Sequence, residues 1–411
     1  MIALPFIVFS LWLIISYHNR GITVGLYMIL LFWLTSVGTI IIDINNYYYV
    51  YCAKTDLGVI APLLYCSLLS WCIYPFTRLD IKKPNKQKEL KGQNLLLAIY
   101  LFVFIVILIV SFTRINEILF NESLASVRNT LYTGEAVSFY DHLSGFPRYV
   151  CAISSVLSPS SYIMCFLFVY SLSFLKNKWW INMLYIISSL SPILISINIA
   201  DRSQIIYWFI IMGLSIFWFK NSMEAKTLRK ISISMAIFGG LLIVYFVMVT
   251  VSRFEMRDAG TTGGLFVYLG QNYINFCNNL NYAEPGFWFG QLFPISNKYI
   301  FDFTPISPRT SLLGYKLNGF KTFLGEIYLS FGFLVMLGYC LFYRYVSVKY
   351  IRIHNKSNFF RIDQTIFVWG ISLVVCLGLF GHFYSGENTI YAFVIWYLIG
   401  KYLYKKNKKF I

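Results

Sequence analysis

Seven arginines, one glutamate and one histidine are the residues of this chain best placed for chemistry, because of where they fall between long apolar runs. The arginines are Arg114, Arg128, Arg148, Arg202, Arg253, Arg257 and Arg309, all in one set of connecting loops that holds only four lysines. The alternate set reverses the ratio, with 17 lysines and six arginines. A guanidinium is a planar fork that grips phosphate or carboxylate bidentately, whereas an ammonium is a hydrated point charge. Arginine enrichment on one face therefore points to an anionic ligand there. The structural alternative is pairing with neighbouring acids, Arg202 with Asp201 or Arg257 with Asp258, and such exposed pairs are common and weak.

Three stretches stand out within this set. In SINIADRSQIIYW, Arg202 sits in a hairpin of only DRSQ between two apolar runs, which holds its charge near the depth of lipid headgroups. In FKTFLGEIYLSFGF, residues 320–333, Glu326 lies at the edge of a run, with Tyr328 and the Phe331-Gly332 pair after it. Its carboxylate is suited to taking a proton from a sugar hydroxyl or to partnering an arginine, and glycine there permits close helix packing. In GLFGHFYSGENTIY, His382 and Glu387 flank the turn SGEN. Histidine is a base at neutral pH, and beside tyrosines at an interface it also has a structural reading. Glu326 and His382 are the candidate catalytic residues; Arg202, Arg253, Arg257 and Arg309 are the candidate anion ligands. Outer carboxylates such as Asp258, Glu284 and Asp302 are too dispersed for a metal site.

Apolar spans must position these residues. The chain has 411 residues, 58% of them hydrophobic and 12% charged, with a mean hydropathy of +0.64. A soluble domain carries about 25% charge. Spans are expected at 2–17, 22–42, 58–76, 95–112, 149–175, 180–200, 205–219, 232–252, 325–343, 365–384 and 389–404, and none has an ionisable residue near its middle. The expected fold is an all-α polytopic integral membrane protein of about 11 transmembrane helices, one membrane domain covering 1–411. The loops 18–21, 77–94, 176–179, 220–231, 344–364 and the tail from Lys401 hold 23 of the 34 basic residues. Positive-inside sorting places them in the cytoplasm. The N-terminus is then outside and the C-terminus cytoplasmic. No basic residue precedes the first apolar run and no small-residue cleavage site follows it, so it reads as a helix rather than a signal peptide.

Two large loops, 113–148 and 253–324, fall on the outer face. Loops longer than about 15 residues are commonly functional. Aromatic and glycine signals in FVYLGQNYINF and GFWFGQLFPISNKYIF suit short amphipathic helices along the membrane surface. The eight cysteines contain no CxxC pair, and most lie inside apolar runs. Cys52 and Cys277 fall in outer loops, where their pairing stays open. The net charge of +17 is sorted by side of the membrane, so nucleic acid is not the implied partner. Phosphate-loop, GxSxG, HExxH and GxGxxG motifs do not occur in their required contexts.

The large second-half outer loop, the Asp-Arg-Ser hairpin and the TFLGEIYLSFG entry into the following span together resemble the Wzy-type polymerases of O-antigen and capsule repeat units. At residue level the resemblance rests on Arg202, Gly325, Glu326 and Gly332. It implies a glycosyltransferase of the bacterial inner membrane acting on undecaprenyl-pyrophosphate-linked oligosaccharides. The growing glycan passes from its lipid carrier to the terminal sugar of an incoming repeat unit. Outer arginines would bind the pyrophosphates, Glu326 or His382 would act as base, and lipid tails would enter between helices. No soluble cofactor is implied. The implied partners are the lipid-linked substrate, membrane lipid, and a chain-length regulator and flippase of the same pathway. The alternatives are a flippase or other transporter for the same lipid-linked sugar, and an O-antigen ligase. Ion-coupled transport usually places ionisable or broken-helix sites near the bilayer midplane, and the spans carry no such charge.

Overall fold

A computed structural model describes residues 1–49, 52–81, 90–120, 143–198, 203–254, 260–286, 312, 319–357, 360–381 and 387–407. Among them are fifteen α-helices and no strand beyond an isolated bridge between Tyr49 and Cys52. In chain order they are α1 Leu4–Arg20, α2 Val24–Ile44, α3 Ile60–Thr77, α4 Gln93–Phe120 and α5 Gly145–Leu157. There follow α6 Ile163–Phe174, α7 Trp179–Ser189, α8 Ser191–Ile197, α9 Ser203–Phe219 and α10 Ala225–Phe254. The last five are α11 Gly260–Tyr282, α12 Thr322–Phe331, α13 Phe333–Lys356, α14 Ile362–Cys376 and α15 Glu387–Asn407.

Six of the described stretches are long and apolar enough to cross a membrane: α2, α3, residues 93–112 of α4, the α5–α6 stretch, α9 with the turn after it, and residues 225–248 of α10. The α7–α8 pair makes a seventh when its 40° bend is counted as one span. Apolar side chains are exposed along α1 (Ile7, Leu11, Ile14) and α10 (Ile237, Leu241, Val244). Such surface is stable against hydrocarbon and not against water. The protein is a helical membrane protein.

The helices fall into two compact units. The first comprises Met1–Ile81, Arg257–Asn358 and Val368–Ile390; the second comprises Lys82–Met256, Phe359–Phe367 and Tyr391–Ile411.

In the first unit α1 and α2 form a hairpin. Gly21, at φ +64°, ends α1, and the Thr23 hydroxyl accepts from the Leu26 N–H at 3.1 Å to cap α2. Small residues then let α2 and α11 touch. A Cβ on Gly270 would collide with the backbone of Gly38 and Thr39, and the Thr39 hydroxyl donates to the Gly270 carbonyl at 2.7 Å. This is the close backbone approach that glycine allows in membrane bundles. The structure departs here from the surface-lying helix expected at FVYLGQNYINF: α11 is a 23-residue helix, mostly buried, while GFWFGQLFPISNKYIF, the other expected surface segment, lies outside the described residues after Gly286. The apolar run expected at 325–343 is broken by Gly332, whose φ of +86° separates α12 from α13. A left-handed residue ends a helix, and glycine adopts that conformation without a Cβ clash.

In the second unit, two apolar stretches are interrupted. A 3-10 turn, Ser158–Tyr162, separates α5 from α6, with Pro159 in its first turn. The α7–α8 break has Pro192 in the first turn of α8. Proline removes a helical donor and starts a new helix more readily than it continues one. At the C-terminal end of this unit, the buried Asp363 carboxylate receives Arg361 Nη2 at 2.8 Å and Lys401 Nζ at 3.3 Å.

Candidate functional site

The candidate site is built on the polar face of α11. Gln271, Asn272, Asn275, Asn278 and Asn279 are all buried, at spacings that put them along neighbouring strips of one helix. Their carboxamides tie loops to the helix. Asn278 Nδ2 donates to the Ala53 carbonyl at 2.9 Å, and Asn281 Nδ2 to that of Leu57 at 2.9 Å. Asn275 Nδ2 donates to the Phe320 carbonyl at 2.9 Å, and Asn272 Nδ2 to that of Leu379 at 3.1 Å. The last two bonds hold the entry to α12 and the end of the α14 segment against one helix.

Those two segments also bind each other. The Phe323 N–H donates to the Gly378 carbonyl at 2.9 Å. Tyr268, Phe320 and Phe380 pack ring against ring, with centroids 4.7, 5.1 and 5.9 Å apart. Edge-to-face rings at such distances favour a fixed arrangement. Two stretches singled out in the sequence, FKTFLGE and the GLFG of residues 378–381, are thereby brought together.

Glu326 sits at this junction. Its Oε2 lies 2.5 Å from the point where a Cβ on Gly381 would stand, so a side chain at 381 would displace the carboxylate from this position. Lys321 runs back across Gly325, its Cβ 3.0 Å from the position of a Gly325 Cβ. Burial pushes the Lys321 pKa down, and the neighbouring Glu326 carboxylate opposes that shift. Desolvation disfavours the ammonium while an opposite charge favours it; here desolvation is the larger effect. Between them Thr322 adopts φ +64°. A β-branched residue in that region is strained by about 1–3 kcal/mol and persists only where its surroundings hold it. Among the described residues, its hydroxyl and the Asn279 amide nitrogen are buried without a hydrogen-bond partner.

The arrangement offers a half-buried carboxylate, an ammonium shifted toward neutrality and orphan polar groups on a rigid support. It can move a proton and hold negative charge. Of the residues expected from the sequence, Glu326 is described, and its carboxylate lies beside Gly381. His382, Arg202, Arg257 and Arg309 lie outside the described residues, as does the side chain of Arg253 near the end of α10. Lys321 and the amides of α11 were not singled out by sequence reasoning. The Lys321–Glu326 spacing in KTFLGE was the available signal. The amides looked like ordinary loop residues, because hydropathy does not distinguish a buried, satisfied asparagine from an exposed one. Cys52 and Cys277 are both buried free thiols, and burial raises the Cys52 pKa. Neither a protein-family model, a curated protein nor a solved structure matches the chain.

Proposed function

We propose that this protein is a membrane glycosyltransferase that polymerises undecaprenyl-pyrophosphate-linked oligosaccharide repeat units on the outer face of the bacterial inner membrane. The observation that carries the reading is the Lys321–Glu326 pair beside Gly381, at the start of α12 where Asn275 of the buried polar helix α11 holds it, and next to a strained Thr322. In this reading Glu326 accepts the proton of the acceptor sugar hydroxyl, and the freed oxygen bonds to the anomeric carbon of the donor glycan. The anomeric carbon–oxygen bond to pyrophosphate breaks, and undecaprenyl pyrophosphate leaves with the electron pair. Lys321 and the arginines Arg202, Arg253, Arg257 and Arg309 neutralise the charge that builds on the leaving group, which lowers the barrier most in a site shielded from water. His382 is the alternative base.

One observation favours a second reading, a flippase for the same lipid-linked sugar. The breaks at Ser158–Tyr162 and between α7 and α8 resemble the discontinuous helices of transporters. An O-antigen ligase is the other enzyme alternative. The three are separated in cells lacking the gene. A polymerase defect leaves surface glycan of single repeat units, a flippase defect leaves none exported, and a ligase defect leaves long chains on the carrier lipid. Complementation with Arg202→Ala is expected to leave single units. Full chain length from both the Arg202→Ala and Arg253→Ala genes would refute the arginine role.

A further inference from the structure

We propose that Arg20, Arg78 and Arg344 form a cradle for the phosphate of an anionic phospholipid at the C-terminal end of α3. The three come from separate elements of the first unit: Arg20 ends α1, Arg78 caps α3 and Arg344 lies on α13. Arg20 Nη1 donates to the Thr77 carbonyl at 3.1 Å, and Arg344 Nη1 to the Trp71 carbonyl at 2.9 Å. Arg78 Nη2 donates to the Tyr74 hydroxyl. Aromatic faces fix the guanidinium planes. Arg344 Cζ is 3.9 Å from the Trp71 ring centre and 5.5 Å from that of Tyr74, while Arg78 Cζ is 4.6 Å from Tyr74. Two cations therefore share one tyrosine ring.

Two cations that share a ring, as Arg78 and Arg344 share that of Tyr74, ordinarily have a carboxylate between them, as Arg361 and Lys401 have Asp363. None of the three arginines has a carboxylate within ion-pair distance among the described residues. Each spends one side-chain hydrogen bond out of the five N–H donors of a guanidinium. Stacking engages the face of the group and leaves its edge open for a phosphate oxygen. The support is rigid as well. Asn355 Nδ2 donates to the Arg78 carbonyl at 2.8 Å, and its Oδ1 accepts from the Asp80 N–H at 3.0 Å, which clamps α13 to the end of α3.

A lipid, rather than free phosphate, fits the surroundings. Leu341, Phe342 and Tyr345, which flank Arg344 on α13, are 61%, 65% and 63% exposed, and Trp71 is 45% exposed. Acyl chains would cover this apolar surface while the headgroup met the arginines. Tryptophan and tyrosine beside arginine is the composition of a membrane–water boundary, and basic pockets between helices bind acidic headgroups there.

The test uses the full-length protein in neutral detergent, titrated with phosphatidylglycerol, with phosphatidylcholine of the same chains, or with inorganic phosphate, bound ligand being read by native mass spectrometry. Phosphatidylglycerol should bind about tenfold tighter than phosphatidylcholine, and the Arg78→Gln/Arg344→Gln protein should lose that preference. Arg78→Gln alone, at an exposed helix cap, should weaken phosphatidylglycerol several-fold even if the double variant does not fold. Lys349→Gln/Arg352→Gln, basic residues elsewhere on α13, should change nothing. Unchanged phosphatidylglycerol affinity in the Arg78 variant, or an equal loss in the control pair, would overturn the cradle. Binding of inorganic phosphate as tightly as phosphatidylglycerol would overturn the lipid.

Discussion

Glu326 and Lys321 make opposite demands on the same small space, and their chemistry follows from that. In the proposed reaction Glu326 is the general base, a role worth about 10²–10⁴-fold in rate, so Glu326→Gln should lower polymerisation by that order while lipid-linked donor still binds. Gly381→Ala should mimic part of the loss, since the new methyl would occupy space 2.5 Å from Oε2. Lys321 adds a pH signature. Its pKa is lowered by burial, so its positive charge is present at low pH and lost as pH rises through a value below that of an ordinary lysine. If the ammonium stabilises the leaving pyrophosphate, activity falls over that range. Lys321→Arg, which stays charged, should remove that alkaline limb; an identical limb in the variant would clear Lys321 of the role. Glu326 was legible in the sequence because an acid at the edge of an apolar run is costly and conspicuous. Lys321 was not, because one lysine five residues earlier looks like any loop charge until the chain turns it back over Gly325.

Among the elements, α11 organises the first unit and was the least legible. Its buried amides lower its hydropathy, so a 23-residue helix of the first unit read as short surface helices within an outer loop. Its role follows from its hydrogen bonds, which take up carbonyls that would otherwise be buried unpaired. Asn275→Leu should strip the Phe320 carbonyl of its donor. Such a loss costs about 1–3 kcal/mol, read as a lower thermal midpoint of the detergent-solubilised protein together with reduced activity. The α2–α11 crossing makes a sharper demand on shape. Gly270→Val would force Cβ into the Gly38 backbone, and overpacking of this kind costs about 1–3 kcal/mol or more. A thermal midpoint unchanged from wild type would contradict the crossing. The ends of α1, α2 and α3 were legible within a few residues, because apolar run length and charged flanks mark them directly. The division of 325–343 was not, because the left-handed Gly332 is locally indistinguishable from a packing glycine.

For the molecule as a whole, the described helices establish a membrane protein, while its orientation rests on the sorting of lysine. All eight cysteines are buried free thiols, so the native protein should be nearly silent to membrane-impermeant maleimide. Single cysteines added at Lys86 and at Asn297 should then label from opposite sides of sealed vesicles, and labelling of both from one side would contradict the topology. The proposed catalysis is measured most directly by reconstitution. Purified protein in proteoliposomes would be supplied with a single undecaprenyl-pyrophosphate-linked repeat unit, and the glycan length on the carrier followed with time. Wild-type protein should give a ladder of multiples of the repeat unit with release of undecaprenyl pyrophosphate, and Glu326→Gln protein that binds the substrate as wild type does should give none. Wild-type protein that carries the unit across the bilayer without lengthening it would be a flippase and not a polymerase.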